Sequence, residues 1–297
     1  MGNKKTKQHI VPRTYLKHWR IAEDKNFVYI VDFHNKHRTG VQEVGVNDKV
    51  FKIENYYNDN LFKNPYAVED MLGSNFEPTY ETIMNEIRQE QSLSESVRLN
   101  IINWLYISKA RSQVMRDNPE RMLNFMLKTN ERWGGKELEY SKEKAIEEHA
   151  RKAAKRIQLS MFSDMRQVQE LLSLFVETLF AKHWRILKSS PILEFWTNDN
   201  PGFSPNVIER FTAMRPFHHV MEMNAGSIIY YPLSPKYCLE ITPFVEGTPL
   251  DVSGATMEIK FEQASLPYMD YINSGVFHTR HHLVIANNSE SLQRCIK

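Results

Sequence analysis

The spacing of apolar residues changes twice along this chain, and the changes divide it into three parts. Phe27, Val28, Tyr29, Ile30, Val31 and Phe33 form an aromatic and β-branched run, the pattern of a strand. Asn35-Lys36 and Thr39-Gly40 are turn-forming, and Val41, Val44, Val46 and Val50 predict one or two further strands around them. Residues 1–64 therefore read as β-rich, behind a lysine-bearing tail (Lys4, Lys5, Lys7) that reads as a solvated terminus.

From Pro65 to about His183 the period becomes helical. One helix is expected from Pro65 to Leu72, stopped by Gly73, and a second from Pro78 through Tyr80, Ile83, Met84 and Ile87. Ser94 is a candidate N-cap for a third, whose stripe is Val97, Ile101, Trp104, Ser108, Arg111 and Met115. Pro119 is expected to open another through Met122, Phe125 and Met126, ending near Gly134-Gly135. Residues 136–158 interleave Glu with Lys and Arg and predict an exposed helix, with ion pairs worth only ~0.3–0.5 kcal/mol each. Leu171, Leu172, Phe175, Val176, Leu179 and Phe180 predict a buried helix over 168–183.

Past His183 the β pattern returns. Trp184 to Leu187 and Leu193 to Trp196 predict two strands around Ser189-Ser190-Pro191. Residues 202–225 read as irregular, and 227–231 with 237–241 as a hairpin around Leu233-Ser234-Pro235. A helix over 266–277 and a last strand over 283–286 complete the chain. Strands at both ends with helices between them predict one α+β domain over 1–297, comprising a β-rich 1–64, a helical insert 65–183 and a β-rich 184–297. The terminal strands would share one mostly antiparallel sheet, with the helical block packed on it.

The stretch Gln8-His9-Ile10-Val11-Pro12-Arg13-Thr14-Tyr15-Leu16 organises the first part. Val11 precedes a proline and should be extended, while Pro12 suits the first position of a short helix with a Tyr15, Leu16, Trp19 face. This stretch resembles the opening signature Gln-His-x-Val-Pro-x-x-Tyr-Leu of a bacterial family catalogued as domain of unknown function family 4238. Phe76-Glu77, Ser108 to Arg111, Thr197-Asn198-Asp199-Asn200-Pro201 and Tyr231-Pro232-Leu233-Ser234-Pro235 match it further, in the expected order. Trp19 stands where that family more often has Phe, and Pro78 follows Glu77 where unbroken helix is expected. The resemblance implies a shared site and brings no established activity.

A formal net charge of +2 over 297 residues gives no overall attraction to nucleic acid or membrane, so either would need a local patch. Cys238 and Cys295 lie far apart without metal-ligand spacing and read as free thiols of a reducing cytoplasm. No run is long enough for a transmembrane helix, and no apolar stretch follows the basic start as a signal peptide requires. Walker, Rossmann and Gly-x-Ser-x-Gly patterns are missing, which argues against those nucleotide-cofactor and hydrolase classes.

Asp199 ends an apolar strand in a polar loop, so it is read either as a site residue, with Asn200 beside it, or as turn chemistry bonding the local backbone. Arg111 shares a helix face with Ile101 and Trp104. It therefore requires either a structural partner such as Glu69 or Glu77 or an anionic ligand. His9 with Gln8 offers a base or metal ligand plus an orienting amide, or else only backbone satisfaction. His9, Glu77 and Asp199 as catalytic groups, with Gln8, Arg111 and Asn200 binding substrate, would suit a divalent-metal hydrolase of nucleic acid or a phosphate-containing small molecule. Toxin or phage-defence biology is the setting conjectured for it. The alternative is a non-catalytic module recognising an anion or protein segment through Arg111 and Gln8-His9, and a third reading gives these residues no ligand. His218, His219, His278, His281 and His282 lack strong metal spacing, and Arg13 with His18 matches the Arg-x4-His of helical HEPN ribonucleases in the wrong structural context.

Overall fold

The computed structural model describes residues 7–34, 40–59, 64–132, 138–163, 165–205, 217–218, 221–222, 226–243 and 259–296. In chain order these form β1 (Lys7–His9), α1 (Arg13–Leu16), β2 (Phe27–Asp32), β3 (Gln42–Gly45), β4 (Lys52–Glu54), α2 (Ala67–Met71), α3 (Thr79–Arg88) and α4 (Glu95–Arg111). There follow α5 (Val114–Glu131), α6 (Tyr140–Ser163), α7 (Met165–Phe180), β5 (His183–Lys188), β6 (Thr197–Asn198), β7 (Ser204–Pro205) and β8 (Phe217–His218). The chain closes with β9 (Ile229–Pro232), β10 (Tyr237–Thr242), β11 (Lys260–Gln263), α8 (Leu266–Thr279), β12 (Leu283–Ala286) and α9 (Ser289–Gln293).

The two β-rich ends do share a sheet. The last strand, β12, pairs antiparallel with β2 and with β6, and β3 completes the order β3-β2-β12-β6. The strand predicted from the aromatic and β-branched run is β2, in which Val28, Ile30 and Val31 are buried and Val31 sits opposite Val284. A second four-stranded sheet, β11-β5-β10-β9, is built from the C-terminal part alone, with β11 parallel to β5 and the other pairs antiparallel. Two short ladders, β1-β4 and β7-β8, complete the set, the second tied to β9 by a bridge between Phe203 and Tyr230.

Tyr15 of the short helix α1 ties the two large sheets together. Its hydroxyl lies 2.6 Å from Thr197 Oγ1 on β6 and donates to the Pro232 carbonyl on β9, also at 2.6 Å. Tyr80 of α3 donates to the Leu233 carbonyl at 2.7 Å, and its ring meets those of Tyr15 and Trp104 edge-on or tilted. Aromatic side chains with one polar end suit such a junction, because each buries a large ring and still satisfies a backbone oxygen. The helix α4 packs among α3, α5, α6 and α7, and α8 packs on β6.

Several expected boundaries move. Gly73 does not stop its helix, since Leu72–Phe76 continue as a π-helical turn and α3 follows with Pro78 at its N-cap. Ser94 caps α4 as expected, its Oγ accepting from Val97 N, but the helix ends at Arg111 and Met115 belongs to α5. Pro119 lies inside α5, where one backbone hydrogen bond is forgone. Leu193, Phe195 and Trp196 are buried and Glu194 is half-buried, none of them joins a ladder, and the strand begins at Thr197. On α7, Leu179 is buried but Leu174 is 57% exposed. The Gly134-Gly135 terminator and most of the irregular 202–225 region fall outside the described residues. Among the described residues no helix is long and apolar enough to cross a membrane.

Gly275 of α8 gives a direct test of this packing. A Cβ added there would lie 2.2 Å from the buried Phe203 ring. Gly275→Ala should therefore lose about 1–3 kcal/mol in chemical denaturation despite alanine's better helix propensity.

Candidate functional site

Lys7–His9 is extended as β1 and pairs with β4 so that His9 faces Lys52 across the ladder, while Pro12, expected as the first helical residue, is instead the N-cap of α1 with ψ 133°. Gln8 is fully buried. Its Oε1 accepts from Tyr57 N at 2.6 Å and its Nε2 donates to Asn58 Oδ1 at 2.6 Å. Both ends of the amide are therefore engaged within the protein. Burial, with Lys52, Arg111 and Arg13 nearby, holds the His9 imidazole down at about 4, so it is neutral at pH 7. Its Nε2 is buried without a hydrogen-bond partner among the described residues.

Arg111 closes this group from the last turn of α4. Its Nη1 donates to Glu77 Oε1 at 3.1 Å and its Nη2 to the His9 carbonyl at 2.8 Å, while Tyr57 OH donates to the Arg111 carbonyl at 3.2 Å. The guanidinium side chain is 1% exposed and the Glu77 side chain 21%, so the pair lies at the inner edge of the surface. Gln8, His9, Glu77 and Arg111 thus meet in one place, and Glu77 is the carboxylate that answers Arg111.

Asp199 and Asn200 belong to a second group. Asp199 is 2% exposed, its Oδ1 accepting from His281 N and its Oδ2 from His282 N, both at 2.9 Å. It thereby caps the turn between α8 and β12. Burial pushes its carboxyl above the usual range, against His281 and the backbone donors. Buried Lys109 donates to Asn200 Oδ1 and to the Asn200 carbonyl, each at 2.9 Å, and Asn200 Nδ2 donates to the Thr279 carbonyl at 2.9 Å. The Lys109 ammonium is pushed well down by burial, with Asp199 opposing the shift. No hydrogen bond or ion pair among the described residues joins His9 to Asp199. Helix α4 connects the two groups, presenting Lys109 to one and Arg111 to the other.

Two features escaped the sequence reasoning. The first is a pair between Asp117 on α5 and His281, whose Nε2 lies 2.7 Å from Asp117 Oδ2 in a side chain 8% exposed. The His282 ring lies 3.7 Å from that of His281 and 4.3 Å from that of His34. Even so, no group of three or more His, Cys, Asp or Glu among the described residues is placed to hold a metal ion. The side chains of His218 and His219 lie outside the described residues.

The second is a groove of about 900 Å³ on the outer side of the opening helix. Arg13, Lys17, Arg20, Arg88 and Lys236 line it, against the carboxylates Glu23 and Glu81. Arg13 opens α1, Lys17 opens the 3-10 turn Lys17–Trp19 that follows it and Arg20 lies just beyond, so all three line the groove while Tyr15, Leu16 and Trp19 are buried. The three cations stand in the sequence among the apolar residues of the opening segment. In the wall, His18 Nε2 lies 3.1 Å from Glu81 and its Nδ1 2.9 Å from Arg88 Nη2. Burial is the main cause that brings this imidazole down to about 4.

Fold and site together define an α+β protein with a cross-braced buried polar core and a cationic groove on its opening helix. The chain belongs to the family described as protein of unknown function (DUF4238), whose model matches residues 7–296. No curated protein and no solved structure matches it.

The Arg111 geometry sets a stability test. Arg111→Met leaves Glu77 without its cation and the His9 carbonyl without a donor, so unfolding free energy should fall by about 3 kcal/mol. Denaturant titration checks this, and an unchanged midpoint would oppose a structural pair.

Proposed function

We propose that the protein binds a phosphate-bearing anion, a short nucleic-acid segment or a nucleotide-like small molecule, in the groove outside the opening helix. The observation that supports this most is that five cationic side chains from three parts of the chain line one groove with only two carboxylates. Arg13, Lys17 and Lys236 form no salt bridge among the described residues, so their charge is available to a ligand. This is the binding-module reading moved from the inward to the outward face of one segment. Gln8 and Arg111, which first suggested it, are answered by protein groups. A cytoplasmic setting agrees with the free thiols of Cys238 and Cys295.

A hydrolase reading draws support from a different observation, the Asp117–His281 pair. A carboxylate accepting from Nε2 fixes the tautomer and leaves Nδ1 as a proton acceptor, the arrangement of a general base. That Nδ1 is buried without a partner. The metal-dependent site expected around His9, Glu77 and Asp199 has less support, because Asp199 is engaged with two backbone N–H groups and does not join His9. A phosphodiesterase screen with and without Mg²⁺ or Mn²⁺, with His281→Asn as control, separates the readings.

The binding proposal is tested by Arg13→Glu combined with Lys17→Glu. Both side chains are exposed, so folding should be unchanged by circular dichroism and thermal melting. Fluorescence anisotropy with a labelled single-stranded oligonucleotide, and calorimetry with pyrophosphate, should each show at least a ~10-fold loss of affinity. Wild-type oligonucleotide binding should weaken as salt rises, with a log–log slope of about −0.7 per phosphate contacted. Binding that is insensitive to salt and to the charge reversals would overturn the proposal.

A further inference from the structure

The cationic groove adjoins a second hollow of about 390 Å³, and Lys236 and Tyr237 line both. Strand register builds the wall of the second. Tyr237 on β10 is paired with Lys188 on β5, and Lys188 with Gln263 on β11, so the three side chains form a row on one face of the sheet. Glu90, just past α3, takes a left-handed φ of 52°, and its carboxylate accepts from Tyr237 OH at 3.1 Å and from Lys188 Nζ at 2.8 Å. The partly exposed Tyr237 side chain is therefore braced where the two hollows join. Their charge differs. The first sets five cations against two carboxylates, whereas the second sets Lys188 and Lys236 against Glu90 and Glu194. Phosphates are favoured in the first and an uncharged group in the second.

We propose that the ligand is a single-stranded nucleic acid several nucleotides long, with its phosphates along Arg13, Lys17, Arg20 and Lys236 and one base stacked on Tyr237. This rests on the anion-binding reading of the groove and decides between the ligands that reading admits. A compact nucleotide polyphosphate is held by successive backbone N–H groups of a glycine-rich turn at a helix N-terminus. The chain carries no Walker or Rossmann pattern. The groove instead offers long, flexible side chains from the opening segment, the end of α3 and the β9–β10 turn, which suit charges spaced along a strand. A positively charged track beside an aromatic ring is the common means of holding single strands, because every base has a π-face. Such stacking tolerates any base, so sequence preference is small.

The test is calorimetric titration of the full chain with a thymidine dinucleotide, a thymidine octamer, an abasic octamer, ATP and pyrophosphate. The thymidine octamer should bind at least ~10-fold more tightly than the dinucleotide or ATP, since it meets more of the cations. The abasic octamer should bind ~5–150-fold more weakly than the thymidine octamer, the range for one stacked base. Tyr237→Leu should impose the same loss on the thymidine octamer and none on the abasic one, with pyrophosphate affinity within about twofold of wild type. Tyr237→Phe keeps the ring and should recover the octamer affinity. Thermal melting confirms that each variant folds, and if Tyr237→Leu does not, the abasic comparison on the wild type decides. Equal affinity for the two octamers would overturn base stacking, and ATP binding as tightly as the thymidine octamer would overturn the strand. Either result leaves the anionic groove standing. Failure of the wild type to bind any probe would overturn both.

Discussion

A helix end loaded with polar groups is stable in a protein interior when most of those groups are answered, and the end of α4 is such a place, although the buried Arg111 Nε has no hydrogen-bond partner among the described residues. Ser108, Lys109, Arg111 and Ser112 are all buried there. The last carbonyls of an α-helix have no partner within the helix. Here Gln158 Nε2 from α6 donates to the Ala110 and Ser112 carbonyls at 2.8 and 3.1 Å, and Tyr57 OH donates to that of Arg111. Lys109 reaches the loop after β6, and Arg111 reaches β1 and Glu77. One turn of helix thus fixes the N-terminal segment, the helical block and the C-terminal loop relative to one another. Unanswered, each buried polar group costs about 1–3 kcal/mol, and charged ones cost more.

This requirement divides the work of the opening segment by direction. Inward, Leu16 and Trp19 fill the core, while Gln8 accepts from Tyr57 N and Tyr15 donates to the Pro232 carbonyl. Outward, Arg13, Lys17 and Arg20 stand in a groove with cations from α3 and from the β9–β10 turn. The inward charges are paired at short range with protein partners and so have little left for a ligand. The outward ones are left to solvent, and it is on them that the proposed anion binding rests.

What was legible in the sequence was mostly local. Ser94 ahead of an apolar stripe and the aromatic and β-branched run of β2 each act within a few residues, and each is where the pattern places it. Arg111 was legible too, because its phase with Ile101 and Trp104 turned it inward and a buried guanidinium requires a carboxylate. The choice of Glu77 over Glu69 was not, since it depends on the π-helical turn at Leu72–Phe76 that carries the chain through Gly73. The Asp117–His281 pair joins residues 164 apart, and Lys109 meets Asn200 across 91. No periodicity encodes such contacts. Pro119 misled for another reason: the Ser112-Gln113 corner starts α5 before it, and the helix tolerates one missing hydrogen bond.

Asp199 is where a bracing role and a catalytic role make opposite forecasts. Asp199→Asn keeps the size of the side chain but replaces one acceptor oxygen by an N–H donor. One of the two backbone N–H groups of His281 and His282 then goes unanswered, and the buried Lys109 loses its opposing charge. The most direct measurement is the denaturant unfolding curve of Asp199→Asn, taken together with anion binding by its folded fraction. Destabilisation of about 2–4 kcal/mol with groove affinity unchanged is the outcome the bracing role predicts. An unchanged unfolding midpoint with binding or activity lost would contradict it.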